Sequence, residues 1–302
     1  MRLSHLLLLL LLNCGWAAVP TVATRLEAEL PAREFVFLRY AFALTGLLVL
    51  WPWLPGRLPR GADFWRTVIM GVAVFNVGHL LQIGGIQLSQ ASDASVLLAI
   101  DPLVSSLGAA LFLRERIPGR RWLGFGLAVA GVALMSFWNR TAPLPGLFAN
   151  LLLVLSFVTE AVWSVMGKPL IARWGIPKVT LLALMAGTVA NALWLVDDLP
   201  SHARHLVAVS LEGWLCLAFL GLVLTAFGYC AWYLVIREAP VSVASMTIYL
   251  QPIVGTAFAV LLADARLNAG HAWGAAAIGA GLVLGLTRAR ALPAESPALP
   301  EH

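Results

Sequence analysis

The chain has 302 residues, of which 60% are hydrophobic and only 12% are charged. Because a soluble domain carries about 25% charged residues, this composition excludes an ordinary soluble domain and predicts a protein dissolved in a lipid bilayer. The net charge of +5 does not indicate nucleic-acid binding, since the basic residues stand in short groups between long apolar runs.

Apolar stretches of about 17 to 25 residues, the length that crosses a bilayer, recur along the whole chain. The first begins like a signal peptide, but its apolar character continues for about 20 residues without a small-residue cleavage site, so we predict a spanning helix. The predicted spans are residues 3–22, 32–53, 65–87, 91–113, 121–138, 146–167, 178–196, 211–234, 241–263 and 270–287. Residues 288–302, which contain three prolines, are predicted to be a disordered cytoplasmic tail.

The two halves of the chain resemble each other when the sequence is compared with itself at an offset of 150 residues. Segment 91–95 then lies over 241–245, and the register continues with Gly71 over Gly221, Gly78 over Gly228, Pro102 over Pro252, Gly124 over Gly274 and Gly131 over Gly281. We therefore predict an all-α membrane protein of two five-helix repeats, residues 3–138 and 146–287. Because each repeat has an odd number of spans, the second enters the membrane in the opposite sense.

The distribution of basic residues predicts the orientation. When the loops are assigned alternately to two sides, 14 of the 20 Lys and Arg residues fall on the side of the N-terminus. Positively charged loops stay in the cytoplasm, so both termini are predicted to be cytoplasmic and the protein to be multi-pass in the cell (inner) membrane.

Inverted repeats place a substrate cavity near the middle of the bilayer, where helices are interrupted. Pro102 and Pro252 lie at the centres of their predicted spans, where each removes a helical hydrogen bond and either breaks the helix or only bends it. Asp101 and Gln251 precede these prolines. A charge this deep costs at least roughly 2.5 kcal/mol, so Asp101 is a candidate for proton coupling or for binding a cationic solute. A neutral Asp101, or one paired with Arg39 in the second span, is the alternative.

Offsets of 147 and 150 residues also align polar and aromatic residues of the first half with such residues of the second. Within each helix these residues are three positions apart and so share one face. The pairs are Asn13 with Glu160, Trp16 with Trp163, His79 with Tyr229, and Gln82 with Trp232. Together with Tyr249 and the polar residues beside the prolines, they predict an aromatic cavity with few polar groups, as in small-molecule sites. Hydrogen bonding between helices is the alternative role for each residue.

Other features are predicted to be structural. The helix glycines Gly124, Gly126, Gly131, Gly274, Gly279, Gly281 and Gly285 allow close helix approach, within a scaffold or at a dimer surface. His202 and His205, beside Asp197, resemble metal ligands, but no further ligand converges on them in sequence, so we predict a solvated outer loop. The sequence indicates no metal and no cofactor.

Segment 95–116, SVLLAIDPLVSSLGAALFLRER, followed by WLGFG at 122–126 and AGV at 130–132, resembles the EamA-type branch of the drug/metabolite transporter superfamily. The resemblance extends from Trp16 to Leu286, includes Arg39, and is weaker in the second half. It implies a ten-helix secondary transporter of the bacterial inner membrane, often an exporter of amino acids or other small metabolites. Asp101 and Glu160 stand where such proteins more often carry uncharged residues, so the resemblance assigns these two carboxylates no role.

The predicted function is therefore a transporter that alternates between inward-open and outward-open states. Its expected partners are a small-molecule solute and bilayer lipid; protons and a second copy of the chain are options left open, and nucleic acid is not expected. Two other classes stay open at this point: an intramembrane enzyme that uses Asp101 and Glu160, and a non-transporting receptor or assembly protein. The sequence contains no HExxH or GxSxG motif to favour the enzyme.

Overall fold

The computed structural model describes residues 2–19, 22, 26, 29–88, 99–138, 147–263 and 267–287. All regular elements in these ranges are helical, and none of the described residues forms a β-strand. The first half contains α1 Leu3–Ala17, α2 Ala32–Val49, α3 Ala62–Val72, α4 His79–Gln87, α5 Asp101–Phe112 and α6 Gly119–Phe137. The second half contains α7 Leu147–Trp174, α8 Ile176–Leu193, α9 Leu199–Ala208, α10 Leu211–Ala218, α11 Gly228–Glu238, α12 Val241–Met246, α13 Leu250–Ala263 and α14 Ala269–Leu286.

Six helical stretches of the described chain are long and apolar enough to cross a membrane. They are Ala62–Gly85, Phe148–Trp174, Ile176–Leu193, Leu211–Glu238, Val241–Phe258 and Ala269–Leu286, while α1 and α5 are apolar but shorter. Residues 91–98 of the fourth predicted span and the predicted tail, 288–302, lie outside the described residues.

Two π-helical segments interrupt the fold at equivalent places. Ala73–Gly78 joins α3 to α4, and Phe219–Phe227 joins α10 to α11. At an offset of 150 residues, the first segment corresponds to residues 223–228, which overlap the second segment. Both repeats therefore have this interruption at nearly the same position in their sequence. A π segment changes the backbone hydrogen-bond register locally, and such segments are frequent at functional sites.

Close packing between the halves follows the repeat. Gly71 of α3 lies directly against the backbone of Ala183 in α8, where any β-carbon would clash. Its equivalent, Gly221, lies against α2, and a β-carbon there would be 2.6 Å from the carbonyl oxygen of Arg39. Likewise α1 packs on α13, as α7 packs on α5. Each repeat therefore contacts the corresponding helices of the other.

Helices α6 and α14 cross at two pairs of glycines. A β-carbon at Gly124 would lie 2.7 Å from the Gly281 carbonyl oxygen, and one at Gly131 would lie 2.6 Å from the Gly274 carbonyl oxygen. As residue numbers rise along α6 they fall along α14, so the two helices are antiparallel. Gly124, Gly131, Gly274 and Gly281 thus allow close helix approach within one chain, whereas no atom lies within 4 Å of a β-carbon at Gly126 or Gly279.

Replacing Gly131 with alanine is expected to destabilise the protein. The new β-carbon would meet the Gly274 carbonyl and the Ile278 side chain, 2.8 Å away, and backbone so close can yield only by separating the helices. Overpacking of this kind costs about 1–3 kcal/mol. Thermal unfolding in detergent measures the loss, and Gly126→Ala is the matched control, because no atom lies within 4 Å of a β-carbon there. Equal melting temperatures for the two variants would contradict the prediction.

The short helix α9 is tied to the start of α2 by histidine–carboxylate contacts. Hydrogen bonds to Glu34 and Asp197 raise the pKa of His202. The hydrogen bond between His202 and Asp197 in turn lowers the pKa of Asp197. Asp198 accepts from the backbone N–H of Ser201 and so caps the first turn of α9.

Candidate functional site

Arg39 is buried in the middle of α2, with 7% of its surface exposed. Its Nε donates to Thr225 Oγ1, 2.9 Å away in the second π segment, and its guanidinium lies 5.7 Å from the Tyr40 ring centroid. The described ion pairs include none between Arg39 and Asp101, so the structure does not support that predicted pairing.

Glu160 of α7 lies beside His79 of α4. Glu160 Oε1 is 3.9 Å from His79 Nε2, while His79 Nδ1 is 2.8 Å from the Val74 carbonyl oxygen in the first π segment. If Nδ1 carries the proton and donates to that carbonyl, a neutral ring presents an unprotonated Nε2 to the carboxyl group. Since 3.9 Å exceeds a hydrogen bond, a water or a solute atom would be needed to bridge the two groups.

Asp101 is the first residue of α5, which runs parallel to α7. Gly108 lies beside Ala161 and Val165, with a β-carbon there 3.7 Å and 3.2 Å from their side chains. At 1.5 Å per residue this places Asp101 roughly 6 Å along the axis from Glu160. Among the described residues, no hydrogen bond joins the two carboxyl groups: Asp101 Oδ1 lies 3.5 Å from Ser105 Oγ, and Glu160 lies beside His79.

An amide pair, again with one residue from each repeat, occupies the equivalent place when the repeats are exchanged. Gln251 Nε2 donates to Asn13 Oδ1 at 2.8 Å, and Asn13 Nδ2 donates to Thr247 Oγ1 at 2.9 Å. These bonds join α1 of the first half to α13 and the preceding 3₁₀ turn, Thr247–Tyr249, of the second. Asn13 corresponds to Glu160 and Gln251 to Asp101, so the repeats hold an uncharged pair and an acidic pair at related positions.

Aromatic rings fill the space between these polar groups. The Tyr229 ring lies at their centre, with centroids 6.2 Å from Trp16, 5.0 Å from Phe75 and 5.2 Å from Trp163. Trp163 also stacks on Tyr233 at 4.2 Å, and the Tyr233 hydroxyl donates to the Trp163 carbonyl oxygen at 3.0 Å. Helices from both repeats therefore contribute to one aromatic cluster.

Two buried donors in this cluster have no hydrogen-bond partner among the described residues, the Tyr40 hydroxyl and the Trp163 indole Nε1. The neighbouring indoles differ: Trp16 Nε1 donates to the backbone of the second π segment at 2.9 Å, and Trp232 Nε1 donates to Ser164 Oγ at 3.1 Å. Because most buried polar groups are paired, the two free donors mark a place where a ligand or a water would accept hydrogen bonds.

Tyr249, a predicted cavity residue, lies apart from the cluster. Tyr249 is fully buried against Phe125, and its hydroxyl donates to the carbonyl oxygen of Ala99 at 2.8 Å. Ala99 is its equivalent in the first repeat, so Tyr249 joins the two halves. Gln82, almost one turn beyond His79, is partly buried and makes no hydrogen bond to the described residues.

The two prolines begin helices and do not interrupt them midway. Pro102 is the second residue of α5, and Pro252 is the third residue of α13. The interruption in the second half is the 3₁₀ turn Thr247–Tyr249, just before Pro252. A proline fits the first turn of a helix because the N–H it lacks would have no helical partner there.

Sequence reasoning missed Tyr40, Phe75, Thr225 and Tyr233. Phe75 and Thr225 occupy equivalent positions but differ in chemistry, so comparing the repeats gave no sign of either. The sequence signal that could have pointed to this region is the glycine pair Gly78 and Gly228, which stand at the ends of the two π segments.

Both halves match the EamA-like transporter family, over residues 3–137 and 147–287. The chain belongs to this family. An uncharacterized transporter of Archaeoglobus fulgidus is 28% identical over 229 residues, which are 75% of this chain and 79% of that protein. A probable terminal-alkyne amino-acid exporter of Streptantibioticus cattleyicolor is 27% identical over 196 residues, 65% of this chain and 64% of that one.

A solved crystal structure shares the fold, with a TM-score of 0.78 over 94% of this chain and 96% of that one, at 18% identity. The EamA-like chain is thus a multi-pass membrane transporter of small metabolites, consistent with the inner membrane. The resemblance drawn from segment 95–116 is confirmed, and the alternative of an intramembrane enzyme is wrong.

Proposed function

We propose that this EamA-like protein is a secondary transporter with ten spans in two inverted repeats and both termini in the cytoplasm. The halves rock about the aromatic cluster, and Asp101 and Glu160 take up and release protons as they do so. The observation that carries this proposal is that Glu160 of the second half lies beside His79 of the first, next to an aromatic cluster of both halves whose Tyr40 hydroxyl and Trp163 indole have no partner among the described residues.

The chemistry of the cluster favours a zwitterionic solute of amino-acid size. The Arg39 guanidinium suits a carboxylate, which accepts paired hydrogen bonds from such a group. Glu160 and the faces of Tyr229 and Trp163 suit an ammonium group, by charge and by cation–π attraction. The Streptantibioticus cattleyicolor relative is named a probable amino-acid exporter, which supports the same solute class and the outward direction.

Flux into proteoliposomes tests the transport proposal. The purified protein should move radiolabelled amino acids faster than empty liposomes do, and an imposed pH gradient should raise the initial rate. Gly126→Ala, outside the cluster, should behave as the wild type. Flux that ignores the gradient would remove protons from the mechanism, and the absence of flux for every solute in a broad panel would contradict transport.

Reporter fusions test the inverted topology. A fusion at Arg57 is expected to report the cytoplasm, and one at Arg204 the opposite face, because five predicted spans separate the two positions. The antiparallel crossing of α6 and α14 supports this arrangement. Reporters on the same face would rule it out.

A further inference from the structure

A second polar cluster lies away from the aromatic site, where α9 meets the start of α2. His202 and His205 are three residues apart on α9 and so share one face. His202 Nδ1 is 2.7 Å and His205 Nδ1 is 2.8 Å from the same atom, Oε1 of Glu34. Glu34 is 2% exposed. The sequence predicted a solvated loop here because no third ligand was visible; the fold supplies one from 168 residues away.

The surroundings of the three side chains orient them. Asp197 Oδ1 lies 3.2 Å from His202 Nε2, and Asp197 Oδ2 accepts from Arg33 Nη1 at 3.1 Å. A histidine whose far nitrogen donates to a carboxylate is held in one orientation and becomes a more basic ligand through its other nitrogen. His202 therefore has the outer partner that metal-binding histidines usually have.

We infer that Glu34, His202 and His205 form a binding site for a divalent transition-metal ion, with Zn²⁺ as the expected occupant. Two imidazoles and one carboxylate are a known zinc ligand set, with water in the fourth position. The three ligand atoms lie within 4.8 Å of one another. Tetrahedral coordination at about 2.0–2.1 Å spaces ligand atoms roughly 3.3 Å apart, so the present hydrogen bonds need lengthen by only about half an ångström.

The ion is expected to compete with protons, because an imidazole must be neutral to bind a metal. Among the described residues, the carboxylates of Glu34 and Asp197 lie against the two histidines, and Arg33 pairs with Asp197. Two carboxylates and one cation leave the immediate surroundings negative, which favours a divalent cation.

The site joins the two repeats. Glu34 belongs to the first family match, residues 3–137, and both histidines belong to the second, residues 147–287. A bound ion would hold α2 and α9 together at this end of the bundle and so stabilise the arrangement seen here. Metal binding of this kind does not depend on which solute is transported.

Calorimetric titration of the purified full chain with ZnCl₂ at pH 7.5 tests this inference. The protein must be prepared without a polyhistidine tag and stripped with EDTA. We expect saturable binding of about one ion per chain, weakened at least about tenfold in Glu34→Gln and in His205→Ala. His5→Ala is the matched control, since His5 faces a single carboxylate, Glu238, at 3.8 Å, and it should bind as the wild type.

Melting temperatures in EDTA accompany each titration, so that unfolding of one variant does not pass for a lost ligand; if Glu34→Gln fails to fold, His205→Ala carries the test. Zn²⁺ should raise the melting temperature of the wild type and of His5→Ala but not of folded ligand variants. No saturable binding by the wild type, or equal affinity in the wild type and folded His205→Ala, would overturn the site.

Discussion

Asp101→Asn and Glu160→Gln, made separately, are expected to abolish the response of solute flux to a pH gradient while the protein remains inserted in the membrane. Each amide keeps the size of the side chain it replaces, but it has no proton that it can gain or lose across the imposed pH gradient. The two carboxyl groups are roughly 6 Å apart along the helix axes, so we expect them to titrate together and the loss of either to disable proton uptake by the pair. We expect gradient-driven flux to fall by about tenfold or more, because a variant without the proton-carrying group cannot use the pH gradient to drive transport.

The measurement is the initial rate in proteoliposomes with and without an imposed gradient, together with solute exchange at equal pH on both sides. Exchange should survive in the variants, because it needs the cavity but no net proton movement. Ser105→Ala is the control: its hydroxyl is 3.5 Å from Asp101 Oδ1, too far for a strong bond, and both carboxyl groups remain. A normal gradient response in Asp101→Asn would return Asp101 to a packing role.

Trp163→Ala is expected to lower the free energy of unfolding by about 3–5 kcal/mol, the range for large aromatic residues removed from a core. Trp163 is 2% exposed, stacks on Tyr233 and touches the edges of Phe75 and Tyr229. Its removal would leave a cavity at the point where the two halves meet. Thermal or denaturant unfolding in detergent measures this loss.

Trp163→Phe separates the packing of this residue from its hydrogen bonding. The smaller ring keeps most of the stack, so the stability loss should be below that of the alanine variant. Since Nε1 has no partner among the residues that the structure describes, its removal costs none of their hydrogen bonds. If the indole binds solute, the half-saturating solute concentration should rise by about tenfold, the equivalent of roughly 1.4 kcal/mol. An unchanged half-saturation would show that the solute does not use this donor.

The residues that the sequence could identify were those with an unusual chemistry for their setting. Glu160 and Asp101 are carboxylates within apolar runs, and Trp16, His79 and Tyr229 share helix faces with other polar or aromatic residues. The structure brings Glu160 together with Trp16, His79 and Tyr229 in one cluster. The structure places Tyr249 apart from this cluster, against Phe125 and Ala99, a contact between the repeats that sequence spacing alone does not reveal.

Apolar run length, glycine register and charge distribution are properties of the chain itself, because each depends on local composition and spacing. The amino-acid sequence by itself therefore determined that this is a membrane protein of two repeats, and to which family it belongs. Contacts across hundreds of residues depend on how helices cross and how far they slide along one another. Only the tertiary structure decided that Arg39 binds Thr225 and not Asp101, and that Glu34 meets His202 and His205.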